Sequence, residues 1–411
     1  MIKRKERRKR MIPEKYTKML DDTSVIRDMF YFACEKIETD GADNVFDYTI
    51  GNPSVPVPQK YTDLLHELLD DENHARIHGY SPNSGVMSVR EQIAGYLKRT
   101  YGIPYTAEHI FMTSGAASAL CHAIHCVSEV GDEIVVFAPY FPEYKAYVTL
   151  AGRNFTVVPA DTTAFQIHFD AFEAAITPKT AAVIVNSPCN PSGTVASADT
   201  LKKLAEILHK KQKQYGHDIF IISDEPYREI VFDGLTVPYV PAFYDNTLSC
   251  YSFSKSLSVP GDRIGYLAAN PTCAHAGIIT AVCGQISRGL GHNCPVTFIQ
   301  TAVGKLIGET VDIGVYETNM NLLHDAFTSL GFECPRPHGT FYIFPKALEP
   351  DANVFCEKAK KYNLFFVPGD SFGCPGYFRV AFCKGTDVVK RSLTALREFV
   401  LNEYPNAVQK K

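Results

Sequence analysis

Three polar residues that could act together each follow a short apolar run: the amide Asn190, the carboxylate Asp224 and the amine Lys255. In open α/β sheets ligands bind in the crevice beyond the carboxyl ends of the strands, so residues just after buried strands are candidates for chemistry. If the three runs form strands of one sheet, the three side chains converge on one edge of it. An amine there can attack a carbonyl carbon, and a carboxylate can hold a ring nitrogen protonated.

A phosphate cradle is predicted near the same edge. The small residues 113–117 precede an apolar stretch with helical spacing, and free backbone N–H groups at a helix start can approach an anion. Arg263, eight residues after Lys255, can add a bidentate guanidinium. An amine, a carboxylate and a phosphate cradle are the groups that a pyridoxal 5'-phosphate site requires.

Several strings carry a family resemblance by their order and spacing. They are Asn190-Pro-Ser-Gly193, Asp224-Glu-Pro-Tyr227, Ser252-Phe-Ser254-Lys255, Pro260-Gly-Asp-Arg263-Ile-Gly and Phe378-Arg379-Val. Each is weak alone. Together they resemble the class I/II aminotransferases of the fold-type I pyridoxal-phosphate superfamily, in particular aspartate aminotransferase-like proteins, from about residue 50 to residue 379.

The resemblance implies a role for each central residue. Lys255 would form the Schiff base with the cofactor and then move a proton between the substrate α-carbon and the cofactor. Asp224 would pair with the pyridinium nitrogen, and Asn190 and Tyr227 would hydrogen-bond the ring 3'-oxygen. The predicted catalytic residues are therefore Lys255, Asp224 and Tyr227.

The resemblance also implies how the cofactor is held. Phe141 matches the aromatic residue that stacks on the ring, although Tyr140 or Tyr144 could take that place. Tyr80 matches a tyrosine that reaches the phosphate from the neighbouring subunit, which implies a homodimer with shared active sites. The residues expected at the phosphate are Gly115, Ala116, Ala117, Ser252, Ser254 and Arg263.

Arg379 falls where the family binds the substrate α-carboxylate, beside Asn190, and Gly51 lies on the opposite wall. A second substrate carboxylate needs another cation. Arg288 lies near the stretch where some aspartate enzymes place such an arginine across the dimer, whereas Ala117 stands about where others use a lysine.

These residues predict an aminotransferase acting on an L-amino acid and a 2-oxo acid, with aspartate or another dicarboxylate ahead of aromatic or alanine-type substrates. The alternative is a pyridoxal-phosphate-dependent C–S β-lyase resembling cystathionine β-lyase. The sequence contains no Gly-x-Gly-x-x-Gly loop and no Gly-Lys-Ser/Thr loop, so neither NAD nor ATP is expected, and no metal is expected.

The elements that must position these residues follow from apolar patterning. Continuous apolar runs, typical of strands buried on both faces, occur at 134–137, 155–158, 182–185, 219–222, 248–251 and 264–268. Amphipathic stretches at 116–130, 169–176 and 198–214 separate several of them. The alternation predicts an α/β fold, with a mainly parallel, mixed sheet covered by helices on both faces.

The pattern changes near residue 300, where a long helical tract at 311–330 is followed by short strands around 340–344 and 378–382. A helix is predicted at 25–38. We therefore predict a large pyridoxal-phosphate-binding domain at 51–299 and a smaller α+β domain built from both chain ends, 13–50 and 300–411.

Composition excludes several functional classes. The 411 residues contain 41 basic and 45 acidic side chains, and seven of the basic ones lie within residues 1–10. The rest of the chain has no general basic field for nucleic acid, so residues 1–12 are predicted to be a disordered tail, with nucleic-acid binding by the tail as the minor alternative.

No apolar run reaches the roughly 18 residues of a membrane span, and no apolar segment typical of a signal peptide follows the basic start. Twelve scattered cysteines without a Cys-x-x-Cys pair are typical of reduced thiols. A cytoplasmic protein without membrane partners is expected.

Overall fold

The computed structural model describes residues 12–19 and 25–408. All but the last residue of the predicted tail 1–12 therefore lie outside the described residues. The strands are β1 (Phe46–Asp47), β2 (Ile110–Thr113), β3 (Glu133–Phe137), β4 (Asn154–Val158), β5 (Thr180–Asn186), β6 (Phe220–Asp224), β7 (Thr247–Ser252), β8 (Gly265–Ala269), β9 (Tyr342–Ile343), β10 (Leu364–Phe365), β11 (Val367–Pro368) and β12 (Phe378–Ala381).

Helices surround the sheets, and none in the described part of the chain has the length and apolarity needed to cross a membrane. They are α1 (Glu14–Lys18), α2 (Val25–Asp40), α3 (Gln59–Leu69), α4 (His74–His78), α5 (Met87–Tyr101), α6 (Ala116–Val127), α7 (Glu143–Leu150), α8 (Phe169–Ala175), α9 (Ala198–Tyr215), α10 (Phe253–Ser256), α11 (Ala276–Leu290), α12 (Thr297–Gly304), α13 (Gly314–Ser329), α14 (Ala352–Ala359), α15 (Thr386–Glu403) and α16 (Pro405–Val408).

A seven-stranded sheet in the order β2-β8-β7-β6-β5-β3-β4 forms the centre of the fold. The pairs from β4 to β7 are parallel, while β8 runs antiparallel to both β7 and β2. This confirms the mainly parallel, mixed sheet. Every predicted run became a strand, and β2 is an additional one.

Burial on both faces explains the continuous apolar runs. In β5, Ala182 and Ile184 belong to one hydrophobic cluster, whereas Val183 and Val185 belong to the cluster on the other face. The expectation of two-sided burial is wrong for β4, where most residues are exposed or half-buried, because β4 lies at the edge of the sheet.

Helix α9 shows how local sequence sets an element. Ser197 accepts a hydrogen bond from the Thr200 backbone N–H (3.0 Å), and Gly216 ends the helix in the left-handed region with φ 76°. Leu201, Leu204 and Leu208 are buried, which fits the predicted apolar stripe.

Segments from both chain ends pack around two small sheets. Strand β12 pairs antiparallel with β9 and β11, and β1 pairs parallel with β10. One hydrophobic cluster joins Phe46 and Tyr48 to buried residues between 311 and 400. Helix α13 covers most of the predicted tract 311–330.

The exact domain boundaries stay a prediction. Near the predicted boundary at residue 300, Ala302 and Val303 pack in one cluster with Ile110 and Met112 of β2. Helix α12 therefore still packs with the central sheet beyond residue 300.

Candidate active site

A cavity of about 280 Å³ lies beyond the carboxyl ends of β5, β6 and β7. Most of the residues predicted from the sequence line it. They are Gly51, Ala116, Ala117, Phe141, Asn190, Asp224, Tyr227, Ser252, Ser254, Lys255, Arg263 and Arg379. The convergence predicted from strand ends is therefore present, because parallel strands bring their carboxyl ends to one edge.

Asp224 ends β6 in register with Asn186 of β5. Tyr144 donates a hydrogen bond to Asp224 Oδ2 (2.5 Å), and Asn186 Nδ2 donates to the Asp224 carbonyl oxygen (2.9 Å). Asp224 Oδ1 is buried and has no hydrogen-bond partner among the described residues. Burial raises the pKa of Asp224 to about 7, and the hydrogen bond from Tyr144 opposes that rise.

Lys255 lies in α10, the short helix that follows β7. Its Nζ donates a hydrogen bond to the Gly51 carbonyl oxygen (2.7 Å). Burial lowers the pKa of Lys255 to about 8; the nearby Arg263 and Arg379 charges also lower it, while Cys383 opposes them. A substantial neutral fraction of this amine near pH 8 makes it a nucleophile and a base.

The position of Gly51 requires a residue without a side chain. A Cβ there would lie 1.9 Å from Tyr342 Oη. Only glycine lets this backbone approach Tyr342 and Lys255 so closely.

The start of α6 is the place where the sequence predicts a phosphate cradle. Gly115, with φ 85°, immediately precedes the helix, and a Cβ there would lie 2.7 Å from Arg263 Nη2. Arg263 donates to the carbonyl oxygens of Ser114 (3.0 Å) and Pro260 (2.9 Å). These bonds hold a guanidinium beside the free N–H groups of a helix start, an arrangement that suits an anion.

Two hydroxyl groups lie on the same side of the cavity. The Ser252 and Ser254 Oγ atoms are 2.7 Å apart, and the Ser254 backbone N–H donates to Ser252 Oγ (3.3 Å). Both residues are buried, and β7 ends at Ser252. The hydroxyls are positioned by the strand and the helix that meet there.

Arg379 is buried on β12, with 1% of its surface exposed. It donates from Nη1 to Asn190 Oδ1 (3.1 Å) and from Nη2 to the Thr49 carbonyl oxygen (2.5 Å). Its Nε has no partner, and no carboxylate pairs with it among the described residues. Burial lowers its pKa. An unpaired buried guanidinium is costly unless a ligand carboxylate supplies the pair.

The aromatic alternatives are separated by their contacts. Phe141 lines the cavity, whereas Tyr144 makes an edge contact with Phe141 at a centroid distance of 5.7 Å and uses its hydroxyl on Asp224. Tyr140 lies outside the lining. The geometry thus favours Phe141 for stacking.

Some residues of the site were missed by sequence reasoning. Tyr342 lies 3.1 Å from Tyr227, hydroxyl to hydroxyl, and its ring centroid is 4.6 Å from the Arg379 guanidinium carbon. No pattern around Tyr342 predicts this. Asn186 could have been found, because it ends β5 at the same level as Asp224 ends β6.

Two predicted residues lie away from this cavity in the single chain. Tyr80 is 97% exposed, and Arg288 is exposed on α11. Asn83, close to Tyr80, donates to the Gly284 carbonyl oxygen on α11 (3.2 Å). The resemblance places both predicted residues across a dimer, and their roles stay predictions.

Comparison with known proteins assigns the family. The model for aminotransferase class I and II matches residues 43–395. This chain belongs to the class I and II aminotransferases. It is similar to a probable N-acetyl-LL-diaminopimelate aminotransferase of Bacillus subtilis (strain 168), 27% identical over 88% of this chain and 90% of that protein.

Two further relatives support the assignment. A probable aspartate aminotransferase of Methanocaldococcus jannaschii is 30% identical over 91% of this chain and 96% of the relative. The crystal structure of an amino transferase from Eubacterium rectale has a TM-score of 0.92 at 43% identity, covering 95% of this chain and 99% of that one. The predicted family and fold are confirmed, and the protein is an aminotransferase enzyme.

Class I and II aminotransferases use pyridoxal phosphate, and the residues of this aminotransferase fit that group. The partnerless Asp224 Oδ1 can accept the ring N–H, and the partly neutral Lys255 amine can bond to the aldehyde carbon. The cradle at Gly115 and Arg263 has the charge that a phosphate needs.

Proposed function

We propose that this aminotransferase moves the amino group of an L-amino acid to a 2-oxo acid, with Lys255 as the residue that binds the cofactor covalently. One observation carries the proposal. A half-buried lysine with a pKa of about 8 shares a cavity with a buried aspartate oxygen that lacks a partner among the described residues. No described residue supplies a hydrogen-bond donor to that oxygen, whereas the ring N–H of a bound cofactor would supply one.

Pyridoxal phosphate, when bound, supplies an electron sink for the bond at the substrate α-carbon. The chain's residues do the rest. Asp224 Oδ1 would accept the ring N–H, and the Lys255 amine would move a proton at the substrate α-carbon. Asn190 and Tyr227 would hydrogen-bond the ring 3'-oxygen, and Phe141 would lie against the ring face.

Substrate binding is proposed to depend on Arg379. Its guanidinium lines the cavity without an ion-pair partner in the described chain, so a substrate α-carboxylate can take that place. The Asn190 side chain fixes one edge of the guanidinium. The Gly51 carbonyl oxygen, opposite, holds the Lys255 amine in place.

We further propose a dicarboxylic amino acid such as aspartate as substrate, and a homodimer in which Tyr80 reaches the partner's phosphate site. The high exposure of Tyr80 supports the proposed homodimer. By the family resemblance, Arg288 is the residue that would reach a second substrate carboxylate across the dimer.

All twelve cysteines are free thiols, which supports a reducing compartment such as the cytoplasm.

Absorbance spectroscopy of the purified protein tests the cofactor and Lys255 together. The wild type should carry a yellow chromophore that borohydride fixes to the chain, and Lys255→Ala should lose that covalent attachment. Lys202→Ala, an exposed lysine on α9, is the matched control. If Lys255→Ala still yields a borohydride-fixed chromophore, the assignment of Lys255 is wrong.

A second assay separates transamination from β-elimination. Mixing the protein with an amino acid alone should convert it once per active site and then stop until a 2-oxo acid is added. A C–S β-lyase would release ammonia continuously with no acceptor. Continuous release from sulfur amino acids would overturn the transamination proposal.

A further inference from the structure

The cavity contains a cation that the proposed function leaves unused. Arg27, in the first turn of α2, lines the cavity together with Lys255, Arg263 and Arg379. The preceding residue, Ile26, lines it as well. The segment at the start of α2 therefore forms one wall of the site.

The start of α2 is held close to the Arg379 pocket. Val25 and Ile26 pack against a cluster that contains Val367 and Phe372. The Phe372 ring centroid lies 5.0 Å from the Arg379 guanidinium carbon. The same cluster thus supports the wall that carries Arg27 and the ring beside the proposed α-carboxylate site.

Further along, two buried side chains anchor α2. Met29 and Ala33 are buried, and Ala33 packs with Val45 and Phe365. Arg27 therefore projects from an element that is packed on the fold. Its position at the cavity does not depend on an isolated loop.

Each of the other two guanidinium groups already has a task. Arg263 is fixed at the cradle by the Ser114 and Pro260 carbonyl oxygens, where the phosphate is expected. Arg379 is fixed by Asn190 and faces the α-carboxylate in the proposed function. Arg27 makes no hydrogen bond or ion pair with another described residue, and it is exposed.

A carboxylate on the cavity wall strengthens the need for this cation. Glu143, in the first turn of α7, also lines the cavity. A substrate with a second carboxylate would be repelled there unless a positive charge offset it. Arg27 lines the same cavity, and its guanidinium has no role in the proposed function. A planar guanidinium can bind a carboxylate with two parallel hydrogen bonds.

We propose that Arg27 binds the distal carboxylate of a dicarboxylic amino acid, so that one chain supplies the cations for both substrate carboxylates. This inference rests on the aminotransferase function proposed above. It assigns to Arg27 the role that the sequence resemblance gave to Arg288 across the dimer.

The test compares amino-group transfer from aspartate and from alanine in the holoenzyme. Arg27→Gln should lower the aspartate-to-alanine ratio of kcat/KM about tenfold to thirtyfold, since a partly exposed charge pair is worth less than a buried one. Arg27→Lys should keep part of the selectivity, because the charge remains and the fork is lost. Arg397→Gln, an exposed arginine on α15, is the matched control.

A binding measurement gives a readout that is independent of turnover. Maleate, an unreactive dicarboxylate, should shift the cofactor absorbance on binding, and its Kd should rise about tenfold in Arg27→Gln. Acetate serves as the monocarboxylate comparison. Melting curves of Arg27→Gln and Arg397→Gln check that both variants are folded.

The possible outcomes separate the two proposals. An unchanged aspartate-to-alanine ratio and an unchanged maleate Kd in Arg27→Gln overturn the role of Arg27. Loss of aspartate selectivity in Arg288→Leu alone overturns it in favour of the cross-dimer arginine. If the wild type uses alanine but neither uses aspartate nor binds maleate, the Arg27 inference fails while transamination stands. If no amino acid reacts, the proposed function fails, and maleate binding still decides the role of Arg27.

Discussion

The Tyr144–Asp224 hydrogen bond should set the proton affinity of Asp224 in the cofactor-free protein. Burial raises the pKa of Asp224 to about 7, so the carboxyl is expected to be mainly protonated at pH 6. Tyr144 donates to Oδ2 at 2.5 Å and stabilises the ionised form. Burial raises the pKa of the Tyr144 hydroxyl well above its ordinary value, so Tyr144 stays the donor across the range.

Tyr144→Phe removes this donor with little change of shape. A hydrogen bond to a charged group contributes about 1.5 to 3 kcal/mol, which moves the pKa by about one to two pH units. A pKa rise of about one pH unit is expected, because Asn186 Nδ2 lies 3.5 Å from Asp224 Oδ2 and can replace the lost hydrogen bond in part. The midpoint of the Asp224 titration should therefore rise from about 7 to about 8 in Tyr144→Phe.

The same raised pKa affects stability with a definite sign. The folded pKa of about 7 lies above the ordinary value of 3.8, so the folded state holds the proton more tightly. This stabilisation is fully present below pH 4 and is lost as the pH rises through about 7. It corresponds to about 4 kcal/mol for Asp224, and Asp224→Asn should remove that pH dependence.

Infrared difference spectroscopy of the cofactor-free protein measures the Asp224 titration directly. The carboxylic-acid C=O band that disappears in Asp224→Asn is followed from pH 4 to pH 10 in wild type and Tyr144→Phe. Tyr244→Phe, which loses a buried hydroxyl that donates to the Ile219 carbonyl oxygen (2.7 Å), is the control. A midpoint in Tyr144→Phe equal to or below that of the wild type would refute the reasoning.

Three further predictions concern cofactor binding. Only the neutral Lys255 amine reacts with the cofactor, so the rate of cofactor binding should rise with pH and become constant above about pH 8. Stopped-flow absorbance measures this rate, and a rate that does not change with pH would contradict the lowered pKa. In Gly115→Ala the new Cβ would lie 2.7 Å from Arg263 Nη2, on a residue whose φ is +85°. The variant should bind the cofactor about tenfold more weakly in a titration, and an unchanged Kd would contradict the prediction. Mixing Lys255→Ala with Tyr80→Ala should restore wild-type chemistry in about a quarter of the sites, whereas separate sites per chain would restore none.

The central sheet could be predicted closely from the sequence. Six predicted runs became strands, because a strand buried on both faces must be apolar throughout and its length is limited by the sheet. Strand β2 was not among the predicted runs, since only Ile110, Phe111 and Met112 are apolar before the polar Thr113. The partial exposure of β4 could not be predicted, because strand order decides which strand lies at an edge.

The candidate site divides in the same way. Asp224 ends β6, and Asn190 and Lys255 lie within four residues of the ends of β5 and β7, so their place at one edge is a local consequence of chain order. Tyr144 and Tyr342 contact that edge from separate elements. Their contacts depend on how those elements pack against each other, and the residues next to them in the sequence do not indicate this packing.

From the sequence by itself came the family, the strand ends that carry an amine, a carboxylate and an amide, and the small residues that open the helix at the cradle. These depend on order and spacing along a short stretch of chain. Only the tertiary structure decided which oxygen of Asp224 lacks a partner and that Arg379 has no carboxylate partner, both among the described residues. It also decided that Arg27 faces the same cavity, although some 350 residues separate it from Arg379. Packing between distant segments sets those facts, because burial and the competition for hydrogen-bond partners exist only once the elements are assembled.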